Sequence, residues 1–349
     1  MTATDQKFAD GAASVRGAVD MTHGAGGRAM ADLIRDVFQK HLNNDYLAQG
    51  NDGALLGKVR GRLVMATDAH VVSPLFFPGG DIGALAVHGT INDVAMMGAR
   101  PLWLCASFIL EEGFSLAALE KIVVSMALAA REARVPVVTG DTKVVEKGKG
   151  DGVFISTTGI GVLANGTDVS GNNARPGDAI LVSGTMGDHG VAILSKREHL
   201  DFETEITSDS QPLHDLVAVM LAAVPGVRVL RDPTRGGLSA TLNEIAQQSK
   251  VGMVIQEADV PVKPEVAAAC ELLGLDPLNI ANEGKLVAIC DAQDAQILLA
   301  TMQAHPKGRD AAVIGEVVAD AHALVRMQTW LGGMRVIDWI AGEQLPRIC

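Results

Sequence analysis

The sequence has 349 residues, with 29 Lys plus Arg against 41 Asp plus Glu, for a formal net charge of −12. This balance argues against a nucleic-acid surface or a polybasic membrane patch, and no apolar run approaches the ~18 residues that span a bilayer. The length favours two domains, each able to bury a core. Residues 1–20 lack the apolar stretch of a secretory signal, so we expect a loose leader and a cytoplasmic protein.

Residues 21–166 are predicted to form an N-terminal domain of alternating helices and strands. The periodicity of apolar residues predicts these elements in chain order: a helix at about 27–41, a strand at 62–72, a helix at 81–97, a strand at 101–110, a helix at 116–134, and strands at 135–140 and 151–163. Asp81 suits the N-cap of the second helix, because its carboxylate can accept from free main-chain N–H groups.

The polar stretch Leu163–Gly177 is rich in Gly and Asn, and predicts the domain boundary. The predicted C-terminal domain, residues 167–338, contains strands at 179–184, 227–232, 252–257, 285–290 and 311–318, and helices at 190–196, 213–223, 238–248, 265–273 and 294–304. Both halves mix strands with long helices, so the expected fold class is α/β (α+β) with two layered domains. Residues 339–349 are predicted to form a flexible C-terminal tail.

Acidic residues interrupt apolar elements at several points along the chain. Asp68 ends a strand, Asp93 lies inside a helix of small apolar residues, and Asp141 follows a strand. A buried carboxylate is costly unless it is paired or binds a metal. Local capping by Asp93 is the alternative, but the three together favour a magnesium site, because hard oxygen ligands suit that ion.

Other polar residues are candidates for binding or proton transfer. Lys143 and Arg235 are cations that could meet polyphosphate oxygens, or could be ordinary surface side chains. Glu283 precedes a strand, so it is either a solvated turn residue or, in apolar surroundings, a general base with a raised pKa. The segment Asp232–Gly237 is a further candidate, because its polar residues and glycines lie between a strand and a helix. No GxxxxGK[ST] occurs, which excludes a P-loop nucleotidase.

The cysteines are widely spaced and form no CxxC pair, so a zinc or thioredoxin-type site is not supported. Cys105, Cys270 and Cys290 lie in apolar stretches and are expected to be buried thiols. Cys349 differs, because it is the last residue and follows a polar, proline-containing segment. Taken alone, it is an incidental exposed thiol.

Several motifs occur together and in order: TDAHVVSPLFFPGGDIG, HGTINDVAMMGA, ILEEGF, VTGDTKVV, VSGTMGDHG, RDPTRGGL, NEGKLV and the terminal PRIC. From about Met21 to Cys349, the chain resembles the HypE family of hydrogenase maturation factors, the carbamoyl dehydratases. This family belongs to the superfamily of aminoimidazole ribotide synthetase and selenophosphate synthetase. The resemblance implies two domains of that type.

The resemblance also implies a reaction and roles for individual residues. Members use ATP, hydrolysed to ADP and phosphate, to dehydrate a carboxamide carried on the C-terminal cysteine, here Cys349, to a thiocyanate that supplies cyanide to the iron of [NiFe]-hydrogenase. The implied ligands of ATP and Mg²⁺ are Asp68, Asp93 and Asp141, with Asn92, Gly140, Thr142 and Arg235 beside the nucleotide. Lys143 and Glu283 match residues implicated in proton removal, in an order that the sequence leaves open.

The implied partners are the carbamoyltransferase HypF, which loads Cys349, the HypC–HypD scaffold complex, which accepts cyanide, and a second copy of the chain paired through the N-terminal sheet. Two alternatives differ in class. A selenophosphate or ribotide synthetase is disfavoured, because HGAGGRAM lacks the reactive cysteine expected beside the glycine loop of a selenophosphate synthetase. A carrier without catalytic activity is disfavoured by the intact acidic motifs and Lys143.

Overall fold

The N-terminal domain is a four-stranded sheet covered on one face by helices, in a computed structural model that describes residues 15–200, 205–339 and 347–349. Its strands are β1 (Leu63–His70), β2 (Phe76–Phe77), β3 (Gly80–Asp81), β4 (Ala99–Glu111), β5 (Val137–Val145) and β6 (Val153–Leu163). The sheet has the order β1-β6-β4-β5, and β2 pairs with β3 separately. Its helices are α1 (Arg28–Leu33, the π-helical turn Ile34–Gln39 and Lys40–Leu42), α2 (Ile82–Met96) and α3 (Leu116–Ala133).

Helix α2 is the central element of this domain, and almost all of its residues are buried. The predicted cap is confirmed: Asp81 Oδ1 accepts hydrogen bonds from the main-chain N–H groups of Gly83 at 2.6 Å and Ala84 at 3.2 Å. Its apolar side chains join those of α3 and the inner face of the sheet in one core. No element among the described residues covers the outer face of the sheet, so Leu63 and Met65 on β1 are 61% and 72% exposed.

The C-terminal domain is a seven-stranded sheet between two layers of helices. Its strands are β7 (Asp178–Val182), β8 (Val229–Arg231), β9 (Gly252–Gln256), β10 (Val287–Asp291), β11 (Ala312–Val318), β12 (Val325–Gln328) and β13 (Met334–Ile337), in the order β13-β12-β9-β11-β7-β10-β8. Its helices are α4 (Asp188–Arg197), α5 (His214–Ala223), α6 (Gly237–Ser249), α7 (Pro264–Leu273) and α8 (Ala295–Ala304). Short 3-10 turns occupy Met21–Gly24, Leu47–Gln49, Glu257–Asp259, Pro277–Asn279 and Pro306–Gly308.

Alternating residues of the central strands face the two helical layers. On β7, Ile180 and Val182 belong to the core that α6 covers, whereas Leu181 belongs to the core under α5 and α8. This period of two is the signature of a sheet buried on both faces. The predicted helices and strands are confirmed in type, with boundaries shifted by a few residues. The hairpin of β12 and β13 was not predicted.

At both ends of the chain, the structure differs in part from the predicted loose leader and flexible tail. Residues 1–14 and 340–346 lie outside the described residues. The end of the predicted leader is packed rather than loose, because Val19 is 1% exposed and donates a hydrogen bond to the Phe114 carbonyl at 2.8 Å. The last residues, 347–349, lie against the N-terminal domain, where Ile348 forms a bridge with Val72. Within the described ranges, every helix is too short or too polar to cross a membrane.

Candidate active site

Carboxyl groups from separate elements converge where the two domains meet. Asp68 lies near the end of β1, Asp93 on the last turns of α2, Asp232 directly after β8, and Glu283 just before β10. The electrostatic effects of these groups on one another show that they are neighbours. Gly89 permits the close approach of α2 to β1, since a Cβ there would lie only 3.0 Å from His70 Cε1.

Burial and mutual repulsion raise the proton affinity of this cluster. The pKa of Asp93 rises from 3.8 to about 8, because the carboxyl is withdrawn from water and faces Asp232 and Asp68. Burial also raises the pKa of Asp232 to about 6, despite the opposing charge of Arg231. Like charges in a low-dielectric setting resist simultaneous ionisation. A cation bound at the junction would therefore reduce the repulsion among these carboxylates.

Glu283 is the most deeply buried member of the cluster, with 4% exposure. Its main-chain N–H donates to Asp209 Oδ1 at 3.1 Å, and the N–H of Gly284 donates to Asp209 Oδ2 at 3.2 Å. Burial, followed by the charges of Asp232 and Asp209, raises the pKa of Glu283 well above 4.5. The interpretation as a solvated turn residue is therefore wrong, and the raised pKa comes from burial and neighbouring like charge rather than from the apolar surroundings expected from the sequence.

Cys349 lies beside Glu283 in this site. Burial, followed by the charge of the neighbouring Glu283 carboxyl, raises the thiol pKa far above its ordinary value of 9.0. The positive charge of Arg235 opposes this rise, and Asp68 adds to it. Two of the other cysteines match the expectation of inert, buried thiols: burial raises the pKa of Cys270 to about 11 and that of Cys290 to about 12.

Asp141, the third member of the predicted magnesium site, lies elsewhere. The strand register aligns it with Ser107 on β4, Ser156 on β6 and Ala69 on β1, so three strand spacings, roughly 14 Å, separate it from β1. Asp141 and Lys143 form an ion pair at 2.6 Å, with side chains 56% and 66% exposed. The structure brings together Asp68, Asp93 and Asp232, and leaves Asp141 apart.

The residues predicted beside the nucleotide have different surroundings. Asn92 is buried, and its amide donates to the carbonyls of Gln211 at 3.1 Å and Glu283 at 3.3 Å and accepts from the N–H of Leu213 at 2.7 Å. Arg235 is exposed on the turn before α6. Asn92 thus joins the two domains through main-chain groups.

Gly140 and Thr142 lie on β5 with Asp141. A Cβ at Gly140 would lie 2.3 Å from the Ala106 carbonyl oxygen, so only glycine permits this close pairing of β5 with β4. Thr142 is buried, and all three residues line one end of an apolar cavity of about 150 Å³ beneath α1, which Phe38 and Phe108 also line.

The protein would supply only some of the ligands of a divalent ion bound at the junction. Within the described ranges, no group of three His, Cys, Asp or Glu side chains is arranged to hold a metal by itself. Mg²⁺ bound with a nucleotide uses one or two carboxylates, and phosphate and water oxygens fill its remaining positions. Asp68, Asp93 and Asp232, with their mutual repulsion, suit that mode of binding.

The fold and this junction site define a class. Residues 50–163 match the family described as AIR synthase related protein, N-terminal domain, and residues 175–327 match the C-terminal domain of the same family. Within that class, the chain belongs to the HypE family. It is 70% identical over 334 residues to a protein named carbamoyl dehydratase HypE from Cupriavidus necator, an alignment that covers 95% of each chain.

Solved structures agree with this assignment. The crystal structure of a hydrogenase maturation protein HypE in complex with ATP has a TM-score of 0.91 and 51% identity, covering 94% of this chain and 99% of that one. A HypE–HypF complex gives a TM-score of 0.78 at 50% identity, over 88% of this chain and 99% of the matched one. The two-domain fold expected from the sequence is therefore confirmed.

Sequence reasoning missed two acidic residues of the site. Asp232 was noted only as part of the segment that joins β8 to α6, and Asp209, which fixes the main chain of Glu283 and Gly284, was not noted at all. A usable signal existed for Asp232, because Asp-Pro-Thr-Arg-Gly-Gly between a strand and a helix is as unusual as the segments around Asp68 and Asp93. Asp209 lies in a loop whose position depends on the tertiary fold.

Proposed function

We propose that this protein uses ATP to dehydrate a carboxamide carried on the sulfur of Cys349, giving a thiocyanate that supplies cyanide for the iron of [NiFe]-hydrogenase. One observation carries the proposal: the Cys349 thiol lies beside the buried carboxyl of Glu283 inside the acidic junction. A group carried on this sulfur therefore lies beside a proton acceptor and away from water. The names of the relatives, carbamoyl dehydratase HypE, support the same reaction.

The proposed conversion removes one oxygen and two protons from the carboxamide, leaving a carbon–nitrogen triple bond. ATP supplies the phosphoryl group that turns the amide oxygen into a leaving group. Glu283 is suited to accept a proton from the amide nitrogen, because its Oε1 is buried and has no hydrogen-bond partner in the described structure. Once ionised, a carboxylate in such surroundings binds a proton strongly. The buried setting also limits access of water that would reverse the dehydration.

Asp68, Asp93 and Asp232 are the groups we propose to hold Mg²⁺ together with the phosphates of ATP. Their raised pKa values, about 8 for Asp93 and about 6 for Asp232, reflect uncompensated negative charge that a divalent ion would neutralise. Arg235 is an exposed cation whose charge opposes the rise in the Cys349 pKa, and it suits a phosphate oxygen or developing negative charge.

The free thiol must leave the site to be loaded. A thiolate, not a thiol, attacks a carbamoyl donor, and burial beside Glu283 raises the thiol pKa so far that the thiolate is scarce. We therefore propose that residues 339–349 act as a mobile tail that presents Cys349 to HypF, returns it to the junction, and presents the product to the HypC–HypD complex. The solved complex of a HypE with HypF supports the first partner. Thiol chemistry of this kind fits the reducing cytoplasm.

A homodimer through the outer face of the N-terminal sheet forms part of the proposal. Leu63, Met65 and Ile109 are 61%, 72% and 43% exposed there, and apolar patches of this kind mark association surfaces. Asp141 and Lys143 are also exposed on β5, so in such a dimer they would lie near the partner. Light scattering of Met65→Asp, compared with Leu272→Asp on the exposed side of α7, tests this: only Met65→Asp should give monomers.

Intact-mass spectrometry of the C-terminal peptide tests the function directly. In protein whose Cys349 has already been carbamoylated by HypF and then freed of nucleotide, addition of ATP should make the C-terminal peptide lose the mass of one water, and without ATP the peptide should stay at the carbamoyl stage. Cys105→Ala serves as the matched control, since it removes another partly exposed thiol. The proposal fails if Cys349→Ala dehydrates a soluble carbamoyl substrate as fast as the unaltered protein.

A further inference from the structure

The last residues of the chain are held mainly through their main chain. The N–H of Ser73 donates to the Arg347 carbonyl at 3.1 Å, and the N–H of Val71 donates to Cys349 O at 3.0 Å. Between them, Ile348 forms an antiparallel bridge with Val72, and its side chain is 3% exposed in the core of the N-terminal domain. The segment 347–349 is therefore bound as a short added strand beside the loop that follows β1.

Two side chains of α4, one at each end of the helix, complete the binding site for residues 347–349, which we call the seat. At its C-terminal end, Arg197 Nη2 donates to the Arg347 carbonyl at 2.8 Å and to the Ser73 carbonyl at 2.7 Å, and Nε donates to the same Ser73 carbonyl at 2.9 Å. One guanidinium thus connects both sides of the added strand. At the N-terminal end, His189 Nε2 lies 2.7 Å from the Ile348 carbonyl, and its Nδ1 lies 2.8 Å from Ser208 Oγ.

The orientation of the His189 ring is also fixed by packing. Its ring meets that of Phe77 edge-on with centroids 5.5 Å apart, and the histidine is fully buried. With Ser208 donating to Nδ1, Nε2 carries the hydrogen and donates to the Ile348 carbonyl. The side chain of Arg347 has its own partner, since it forms an ion pair with Asp151.

From these contacts we infer that Arg197 and His189 are positioning residues that hold the tail end in the site and thereby set how often Cys349 is accessible. They act on main-chain carbonyls, so the same seat accepts the tail whether its sulfur is free or modified. Neither residue contacts the sulfur in the described structure, so each acts through the tail. The consequence for turnover rests on the proposed function, whereas the seat itself does not.

Alkylation of Cys349 measures the position of the tail without requiring any dehydration. With iodoacetamide and mass spectrometry of the C-terminal peptide, the unaltered protein should react slowly, because its thiol is half-buried beside Glu283. Arg197→Ala loses charge-assisted hydrogen bonds to two carbonyls, so alkylation should accelerate about tenfold. Arg197→Lys keeps the charge with fewer donors and should give an intermediate rate.

Arg228→Ala is the matched control, since Arg228 forms ion pairs with Asp178 and Asp291 in the C-terminal domain and has no recorded contact with residues 347–349. Its alkylation rate at Cys349 should equal that of the unaltered protein. Equal rates for Arg197→Ala and Arg228→Ala would overturn the inference. The buried thiols Cys270 and Cys290 report unfolding in the same digest.

If Arg197→Ala exposes those buried thiols, Arg197→Lys decides the question. Lysine keeps the charge and the aliphatic stem but loses the planar fork that reaches both carbonyls, so it weakens the seat with the least change to the surrounding packing. A faster reaction at Cys349 alone supports the seat, and an unchanged rate refutes it. In a single-turnover assay on protein that is already carbamoylated, Arg197→Ala should slow dehydration while HypF loads Cys349 at least as fast as before. Dehydration absent from every variant, with the alkylation pattern intact, would refute the proposed function alone.

Discussion

Asp93 and Asp141 lie in similar sequence settings, each in or beside an apolar element, yet their environments in the fold are opposite. Asp93 is turned into the domain junction, where burial, Asp232 and Asp68 raise its pKa to about 8. Asp141 lies on the open face of β5, and the hydrogen bond from Lys143 lowers its pKa below 3.8. The first carboxyl has an excess of like charge around it, and the second has its own cation at 2.6 Å.

This difference shows that a cation would bind more favourably at Asp93 than at Asp141. A metal that reaches Asp93 relieves repulsion among buried carboxyls, whereas a metal that reaches Asp141 must compete with an existing ion pair and with water. The pair at β5 is nearly neutral as it stands. The junction, rather than the end of β5, is therefore the part of a single chain where we expect charge to favour binding of the proposed magnesium and nucleotide.

The largest effect should come from Glu283→Gln, which keeps the shape of the side chain and removes its ability to accept a proton. We expect dehydration of carbamoylated Cys349 to fall by about a hundredfold or more, with ATP still bound. Quenched-flow mass spectrometry of the tail peptide measures this rate. Lys143→Met is the comparison variant: if Lys143 removes a proton, as the resemblance implies, its loss should be as severe, and a mild effect would leave Glu283 as the base.

A second test separates the two acidic regions by their affinity for magnesium and ATP. Asp232→Asn should weaken magnesium-dependent ATP binding by about tenfold or more, because it removes a carboxylate from the cluster. Asp141→Asn in a monomeric Met65→Asp background should change it much less. Isothermal titration calorimetry measures both, and a larger loss for Asp141→Asn would reverse the comparison.

The pH dependence of stability should show the electrostatic repulsion among the carboxyl groups at the junction. Because the pKa of Asp93 is raised from 3.8 to about 8, its contribution to stability is complete below about pH 4 and is lost as the pH rises through 8. Without nucleotide, the melting temperature should therefore fall by about 5 °C between pH 6 and pH 9. Asp93→Asn should flatten this slope, and magnesium with ATP should reduce it. An equally steep slope in Asp93→Asn would show that other groups cause it.

The smallest effect should follow removal of the exposed ion pair. Asp141→Asn should change the free energy of unfolding by less than about 1 kcal/mol, because solvent screens a pair whose side chains are 56% and 66% exposed. Urea denaturation at low and high salt measures it. A larger loss that persists in 1 M salt would indicate that Asp141 has a structural role beyond its pairing with Lys143.

The fold followed from local patterns, whereas the composition of the site did not. Periodicity predicted the helices and most strands, and the small apolar residues around Asp93 indicated a carboxyl largely withdrawn from water, which the structure shows as half-buried. A single chain does not bring Asp141 to Asp68, because the strand order β1-β6-β4-β5 places β5 at the edge opposite β1, and nothing in a single sequence specifies that order. The docking of Ile348 against Val72 was missed for the same reason: two-residue pairing between distant segments leaves no periodic signal.

Asn92 has a consequence for how the enzyme can work over many turnovers. Its one amide group connects helix α2 to the main chain at Gln211, Leu213 and Glu283. A hinge motion that opened the junction would break these bonds and displace Glu283 from Asp93 at every cycle. If the reacting group is carried on Cys349, as proposed, movement of the narrow C-terminal strand alone would deliver it. The two domains could then stay fixed relative to each other, and the geometry around Glu283 would be unchanged between one substrate and the next.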